Sequence, residues 1–320
     1  MKMNLMQKIV PFVAGVVFFF TGITAPLSLN AKDTGRPLRV VCTILPVYIL
    51  TLNVVGRIPG IEVKLLLPPH QGCPHNYDLT PSDLIKLSLA DLIIANGLGL
   101  EEFIDKTLRK NKFKARVLLA AGQVEPILNR PAQTRSYVKN HKIKADQPQD
   151  GAINGHAWVS PKAAAVMVKT IAEALALQDP GHAREYRFQA GEYGKKLEDL
   201  AREMKEWISR AKNKKCLAFH DILAYLTRDI GLTLIGVVES HPGTEPSPKE
   251  MARLINLLKE QRAAAIFSEP QYSNKVVKAL SRESGVPFFE LDPVATGIPA
   301  ADTYEMSMRK NLEVLKKALK

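Results

Sequence analysis

A chain of 320 residues with 46% hydrophobic and 24% charged residues has the make-up of a folded protein of about two domains, at roughly 150 residues each. That composition excludes a collagen-like, low-complexity or polytopic membrane chain, and three cysteines are too few for a disulfide scaffold. The net charge of +12, 44 basic minus 32 acidic residues, is scattered rather than gathered into one basic run, so no nucleic-acid partner is expected.

The N-terminus differs from the rest. Lys2 and Lys8 precede an apolar run from Ile9 to Phe20, and small and polar residues follow as far as Ala31. This is the pattern of a secretory signal, so residues 1–31 are expected to be a signal peptide cleaved after Ala31. Leu29 fits the small-x-small preference poorly, which keeps an uncleaved anchor as the alternative. Either way the folded part is expected outside the cytoplasm, in a periplasmic or extracytoplasmic location. The first cysteine is Cys42, so a lipid-modified cysteine just after the signal is not expected.

From residue 36 onward, short β-branched runs alternate with longer helical stretches, as in βαβ units. Strands are expected at Leu38–Ile44, Glu62–Leu67, Leu92–Ala95 and Ala115–Leu118, then at Lys215–Phe219, Thr233–Val237, Ala264–Phe267 and Pro287–Leu291. Between the two groups, Leu197, Leu200, Met204 and Ile208 recur at helical spacing, which predicts one long helix over His182–Ala211. The expected fold is α/β: two Rossmann-like lobes, each a mostly parallel sheet with flanking helices, joined by one long spanning helix. The limits that follow are 32–181 for the N-terminal lobe, 182–211 for the linking helix and 212–320 for the C-terminal lobe. Gln123–Gly155 is polar and broken by Pro126, Pro131, Pro148 and Gly151, so it reads as a long surface loop.

Four side chains able to bind a metal fall at similar addresses. His75, in Pro74-His75-Asn76-Tyr77, lies between a strand and a helix whose cap is Thr80 with Pro81 behind it, a helix-start signature. His156 stands four residues before a second cap, Ser160, also followed by proline. His220 follows the strand Cys216–Phe219, and Asp292 ends a strand that Pro293 stops. Ligands of open α/β sheets bind beyond the carboxyl ends of the strands. Two such side chains from each lobe, brought together in the cleft, make three imidazoles and one carboxylate, a four-coordinate set suited to zinc. Their separations of 81, 64 and 72 residues carry no short motif.

Longer stretches carry a resemblance. They include Pro74-His75-Asn76-Tyr77 with Thr80-Pro81-Ser82-Asp83, Ala90-Asp91-Leu92-Ile93-Ile94-Ala95-Asn96-Gly97, His156-Ala157-Trp158-Val159-Ser160-Pro161, Phe219-His220-Asp221, Phe267-Ser268-Glu269-Pro270-Gln271 and Leu291-Asp292-Pro293. In this order they resemble the cluster A-I solute-binding proteins of metal-ion ABC transporters, which supply zinc, manganese or iron to a membrane permease. The resemblance implies that His75, His156, His220 and Asp292 are the metal ligands and that the long helix is a semi-rigid spine between the lobes. It implies a monomeric, non-enzymatic protein whose partners are a divalent ion and an ABC permease. The family has histidine at the third ligand position in most zinc proteins and glutamate in most manganese or iron proteins. His220 therefore implies Zn2+ as cargo, with Mn2+ (or iron) as the alternative, in line with the preference of imidazole for zinc and carboxylate for manganese.

The chain also departs from the pattern. Its loop before the second ligand has only His141 where many zinc members are histidine-rich, Cys73 stands at a usually acidic position, and Gly155 replaces a proline. His70, His141, His182 and His241 lack the strand-end setting and read as surface or hydrogen-bonded residues. Glu269 reads as the partner that orients an imidazole, and with Glu290 it is a substitute for Asp292. Cys42 and Cys216 lie in apolar strands and read as buried thiols. A zinc hydrolase is a rival reading, but it needs an open metal position and a general base, and the chain has no His-Glu-x-x-His helix. A surface adhesin is the remaining rival.

Overall fold

Eight short strands, most of them rich in aliphatic or aromatic residues, build two four-stranded sheets in the computed structural model, which describes residues 36–71, 77–104, 107, 113–128, 153–238 and 246–320. Strands β1 (Leu38–Cys42), β2 (Ile61–Leu65), β3 (Leu92–Ala95) and β4 (Arg116–Leu119) lie in the order β2-β1-β3-β4. Strands β5 (Lys215–Ala218), β6 (Thr233–Val237), β7 (Ala265–Ser268) and β8 (Phe288–Glu290) repeat it as β6-β5-β7-β8. All the pairings are parallel, so each strand must be followed by a crossover. In both sheets the chain order reverses between the first and third strands, which opens a crevice at β1/β3 and another at β5/β7. All eight expected strands are present. Those at 38, 62, 215 and 287 are shorter at their carboxyl ends, because the apolar run continues into the following turn.

The described helices are α1 (Leu45–Val55), α2 (Pro81–Leu89), α3 (Pro161–Gln178), α4 (Ala183–Arg210), α5 (Ala224–Ile230), α6 (Pro248–Glu260), α7 (Lys275–Ser284) and α8 (Thr303–Ala318). Their starts are written in the sequence. Thr80 and Ser247 each close a capping box, with Asp83 and Glu250 respectively, and Ser160 accepts a hydrogen bond from the Ala163 amide; each is followed by proline, whose missing N–H costs nothing in the first turn. Helix α4 has 28 residues, a rod of about 42 Å at 1.5 Å per residue. Its buried stripe, including Tyr186, Ala190, Tyr193, Leu197, Leu200 and Met204, keeps to one face along the whole length. The helix packs on α1, α3, α5 and α8.

The core explains why the strands read as continuous apolar runs. Cys216 and Ala218 of β5 point into a large cluster shared with β1, α3 and α4, whereas Leu217 and Phe219 point into a smaller one with Leu254, Leu258 and Leu280. A parallel sheet covered on both faces needs apolar residues at successive positions. The large cluster runs unbroken from Val40 and Ile94 of the first sheet to Phe267 and Leu312 beside the second. Polar contacts add to it: Trp158 Nε1 donates to the Pro293 carbonyl at 2.8 Å, Tyr304 donates to the Trp158 carbonyl at 2.7 Å, and Asn53 Nδ2 reaches the Ala301 carbonyl at 2.7 Å. Thr34–Lys320 accordingly behaves as one compact unit. The segment expected as a long loop is pinned at its base, where Leu128 and Ile153 pair antiparallel and the Asn154 amide donates to the Ile127 carbonyl at 2.7 Å; residues 129–152, with His141, lie outside the described residues.

Candidate metal centre

The crevice between β5 and β7 carries the most distinctive chemistry. Phe219 extends the β5 ladder by donating to the Phe267 carbonyl, so His220 is the first residue to leave it, ahead of the turn Asp221–Leu223 that leads into α5. Glu269 is the first residue past β7. Because β5 and β7 are neighbours, these two side chains emerge together, with His220 Nδ1 and Glu269 Oε1 2.5 Å apart and both groups buried. Gln271 Nε2 holds the other oxygen, Oε2, at 2.6 Å. A carboxylate at Nδ1 keeps the ring proton there and places the lone pair of the neutral imidazole on Nε2.

His156 arrives from the first-sheet side. It does not follow a strand: it precedes the one-turn helix Ala157–Val159 that runs into the Ser160 cap of α3. Its backbone N–H donates to Asn154 Oδ1 at 2.9 Å, and its Nδ1 lies 3.1 Å from the same oxygen. The ring packs edge-on against Trp158, with centroids 5.3 Å apart. Gly155 lets Leu100 pack closely here, because a Cβ would come within 3.0 Å of Leu100 Cδ1 and 3.1 Å of Leu100 Cβ. Asn96 Nδ2 also donates to the Gly155 carbonyl at 2.8 Å, and Asn96 is held in turn by Glu101, whose Oε1 accepts from its amide at 2.6 Å.

The two rings face each other across the site with centroids 5.9 Å apart and planes at 84°. This distance tests whether one ion fits between them. A zinc–nitrogen bond of about 2.0–2.1 Å, with about 1.2 Å more to the ring centre, puts each centroid about 3.2 Å from the ion. Two such rings are about 5.2 Å apart at the tetrahedral angle and about 6.4 Å when opposed. The observed separation falls inside that window, so the spacing of these two rings is compatible with one divalent cation between them.

The other two expected ligands stand differently. Asp292, two residues past β8, takes one hydrogen bond on each carboxylate oxygen, from the Val294 amide and from Ser307 Oγ, both at 2.7 Å. Its backbone is held by the Asn311 side chain from both directions at 2.8 Å. Val294 has φ of +59°, a strained conformation for a β-branched residue, and it sits in the same turn. Each oxygen keeps lone-pair capacity for a cation. Among the described residues, however, the structure assembles no group of three or more His, Cys, Asp or Glu side chains able to hold a metal ion: His156 and His220 are brought together and Asp292 is not grouped with them. His75 and Cys73 lie outside the described residues, although Tyr77 beside them is fixed by donating to buried Asp83 at 2.8 Å. Asn154, Gln271, Ser307 and Asn311 were not legible as site residues. Only Asn154 carried a signal, as an asparagine two positions before a histidine in a tight turn.

The fold and this site define a metal-binding solute-binding protein. The family model described as zinc-uptake complex component A, periplasmic (ZnuA) matches residues 40–318, and the chain belongs to this family of ABC-importer solute-binding proteins, not to an enzyme family. The iron-binding protein YfeA of Yersinia pestis is 26% identical over 287 residues, covering 87% of this chain and 86% of its own. The zinc-binding protein AdcA of Streptococcus pyogenes serotype M6 is 28% identical over 312 residues, covering 94% of this chain; this chain spans only 59% of that relative's length. The SBP FpvC of Pseudomonas aeruginosa in complex with Mn2+ superposes with a TM-score of 0.75 at 28% identity, over 89% of this chain and 98% of that one; the same SBP has also been solved in complex with Ni2+.

Proposed function

We propose that this protein captures zinc outside the cytoplasm and delivers it to the membrane permease of an ABC importer. His75, His156, His220 and Asp292 are its ligands in this reading. The observation that carries it is the pair of buried imidazoles 5.9 Å apart, each with Nδ1 on a hydrogen-bond acceptor, from opposite sides of the site. Neutral imidazole nitrogens favour zinc over harder divalent ions. Residues 1–31 act as the export signal, the mature chain works as a monomer, and among the described residues no helix is long and apolar enough to cross a membrane. A second reading, manganese or iron as cargo in the same site, draws on the iron-binding relative and the Mn2+ complex and on the carboxylate of Asp292. Metal analysis of protein taken from its native compartment, with zinc titration of alanine variants at the four ligands, tests both. Zinc at one equivalent, with affinity lost by at least about 100-fold in H156A and H220A, is expected. A native protein loaded with manganese or iron would select the second reading.

A further inference from the structure

We propose that Asn154 is a positioning residue that sets the tautomer of His156 and locks it to the His220 side of the site; this rests on the reading that both histidines bind the metal. The amide of Asn154 has a determined orientation, because its Nδ2 donates to the Asp221 carbonyl at 2.8 Å. Its Oδ1 must then face His156, where it accepts the backbone N–H at 2.9 Å and lies 3.1 Å from Nδ1. An acceptor at that place holds the ring proton on Nδ1 and puts the donor lone pair on Nε2. The neutral amide thus does for His156 what the Glu269 carboxylate does for His220.

Asn154 also bridges the two halves. Asp221, whose carbonyl it grips, is the residue after His220, and Tyr225 Oη, one turn further along α5, donates to the Asn154 carbonyl at 2.8 Å. The same hydroxyl accepts from the Ile127 amide at 3.1 Å, so both sides of the loop base are fixed to the second half at one atom. Asn154 is nearly fully buried, 1% exposed. A ligand on the first-sheet side and a ligand on the second-sheet side are therefore spaced by one side chain.

The test is zinc titration by calorimetry with a competing chelator on the full protein, its N154A, N154D and H156A variants, together with two-bond 1H–15N spectra of 15N-histidine in the metal-free state. N154A is expected to bind zinc 10- to 100-fold more weakly and to lose the single Nδ1-protonated form of His156. N154D keeps an acceptor toward His156 but cannot donate to Asp221, so it should restore that tautomer and recover only part of the affinity. A role confined to folding would lower the melting temperature and leave the tautomer in place. N154A binding within twofold of the wild type, or retaining the Nδ1 proton, overturns the proposal. If N154A does not fold, N154D decides it, and an Nε2-protonated His156 there is the overturning result. Wild-type affinity in H156A would instead remove the ligand reading itself, whereas loss in H156A with unchanged N154A removes only the role of Asn154.

Discussion

In the proposed reading the choice of metal narrows to one side chain, His220, and the neighbour at its Nδ1 changes how that choice is tested. Replacing it by glutamate should move selectivity from zinc toward manganese by at least about tenfold, or about 1.4 kcal/mol. In H220E alone the new carboxylate would stand beside buried Glu269, losing the hydrogen bond that the imidazole N–H makes and facing a second acceptor instead. The double variant H220E/E269Q should therefore show the larger manganese gain in competition titrations, and equal selectivity in both would contradict the pairing. Gly155 makes a second residue-scale prediction. An alanine there must displace Leu100 or the His156 backbone by a few tenths of an ångström, so G155A should weaken zinc binding several-fold with every ligand intact. Burial pushes the Cys42 thiol up to about 12, so it should resist thiol reagents at pH 8 in the native state and label only on unfolding, which peptide mapping by mass spectrometry would read.

The elements show which contacts are local and which join distant parts. Ser247 caps α6 at the surface, and S247A should cost about 1 kcal/mol, the usual value of a lost cap. Ser160 caps α3 and in addition donates to Asp229 Oδ2 at 2.6 Å, across 69 residues of sequence; the Asp229 side chain is only 4% exposed. S160A removes the cap and one partner of a buried carboxylate, so it should cost about 2–3 kcal/mol by denaturant unfolding. Equal costs at the two serines would argue against the cross-molecule contact. The Ser160 cap was legible as a Ser-Pro pair. The second duty of Ser160 was not, because Asp229 is not near it in sequence and exposed aspartates look the same.

At the scale of the whole molecule, the shared core decides how the protein unfolds. The expectation of two lobes closing on each other suggests two units, but the large cluster runs through both sheets and the Trp158, Tyr304 and Asn53 hydrogen bonds cross between them. One cooperative transition is expected in calorimetry, with equal calorimetric and van't Hoff enthalpies; two resolved transitions would show that the halves fold separately. Acid sensitivity has a traceable part. The Arg36 guanidinium, 2.7 and 2.8 Å from the Asp91 carboxylate, holds its pKa below the ordinary value. A carboxyl depressed in the folded state stabilises fully above its unfolded pKa of about 3.9, and that stability is lost as pH falls through the folded value. D91N should therefore lower stability at pH 7 and flatten its decline below about pH 4.

The sequence by itself determined the eight strands, the long helix and the starts of α2 and α3, because apolar periodicity and proline-backed caps are set by residues within a few positions of each other. It also determined which histidines stand apart from the rest, since the strand-end and cap settings of His220 and His156 are local. Tertiary structure alone decided that Glu269 faces His220, that Asn154 faces His156 and that the two rings stand 5.9 Å apart. Those contacts depend on β5 lying next to β7 and on two sheets sharing one core, and strand order is fixed by packing between segments far apart in the chain, which no local pattern encodes.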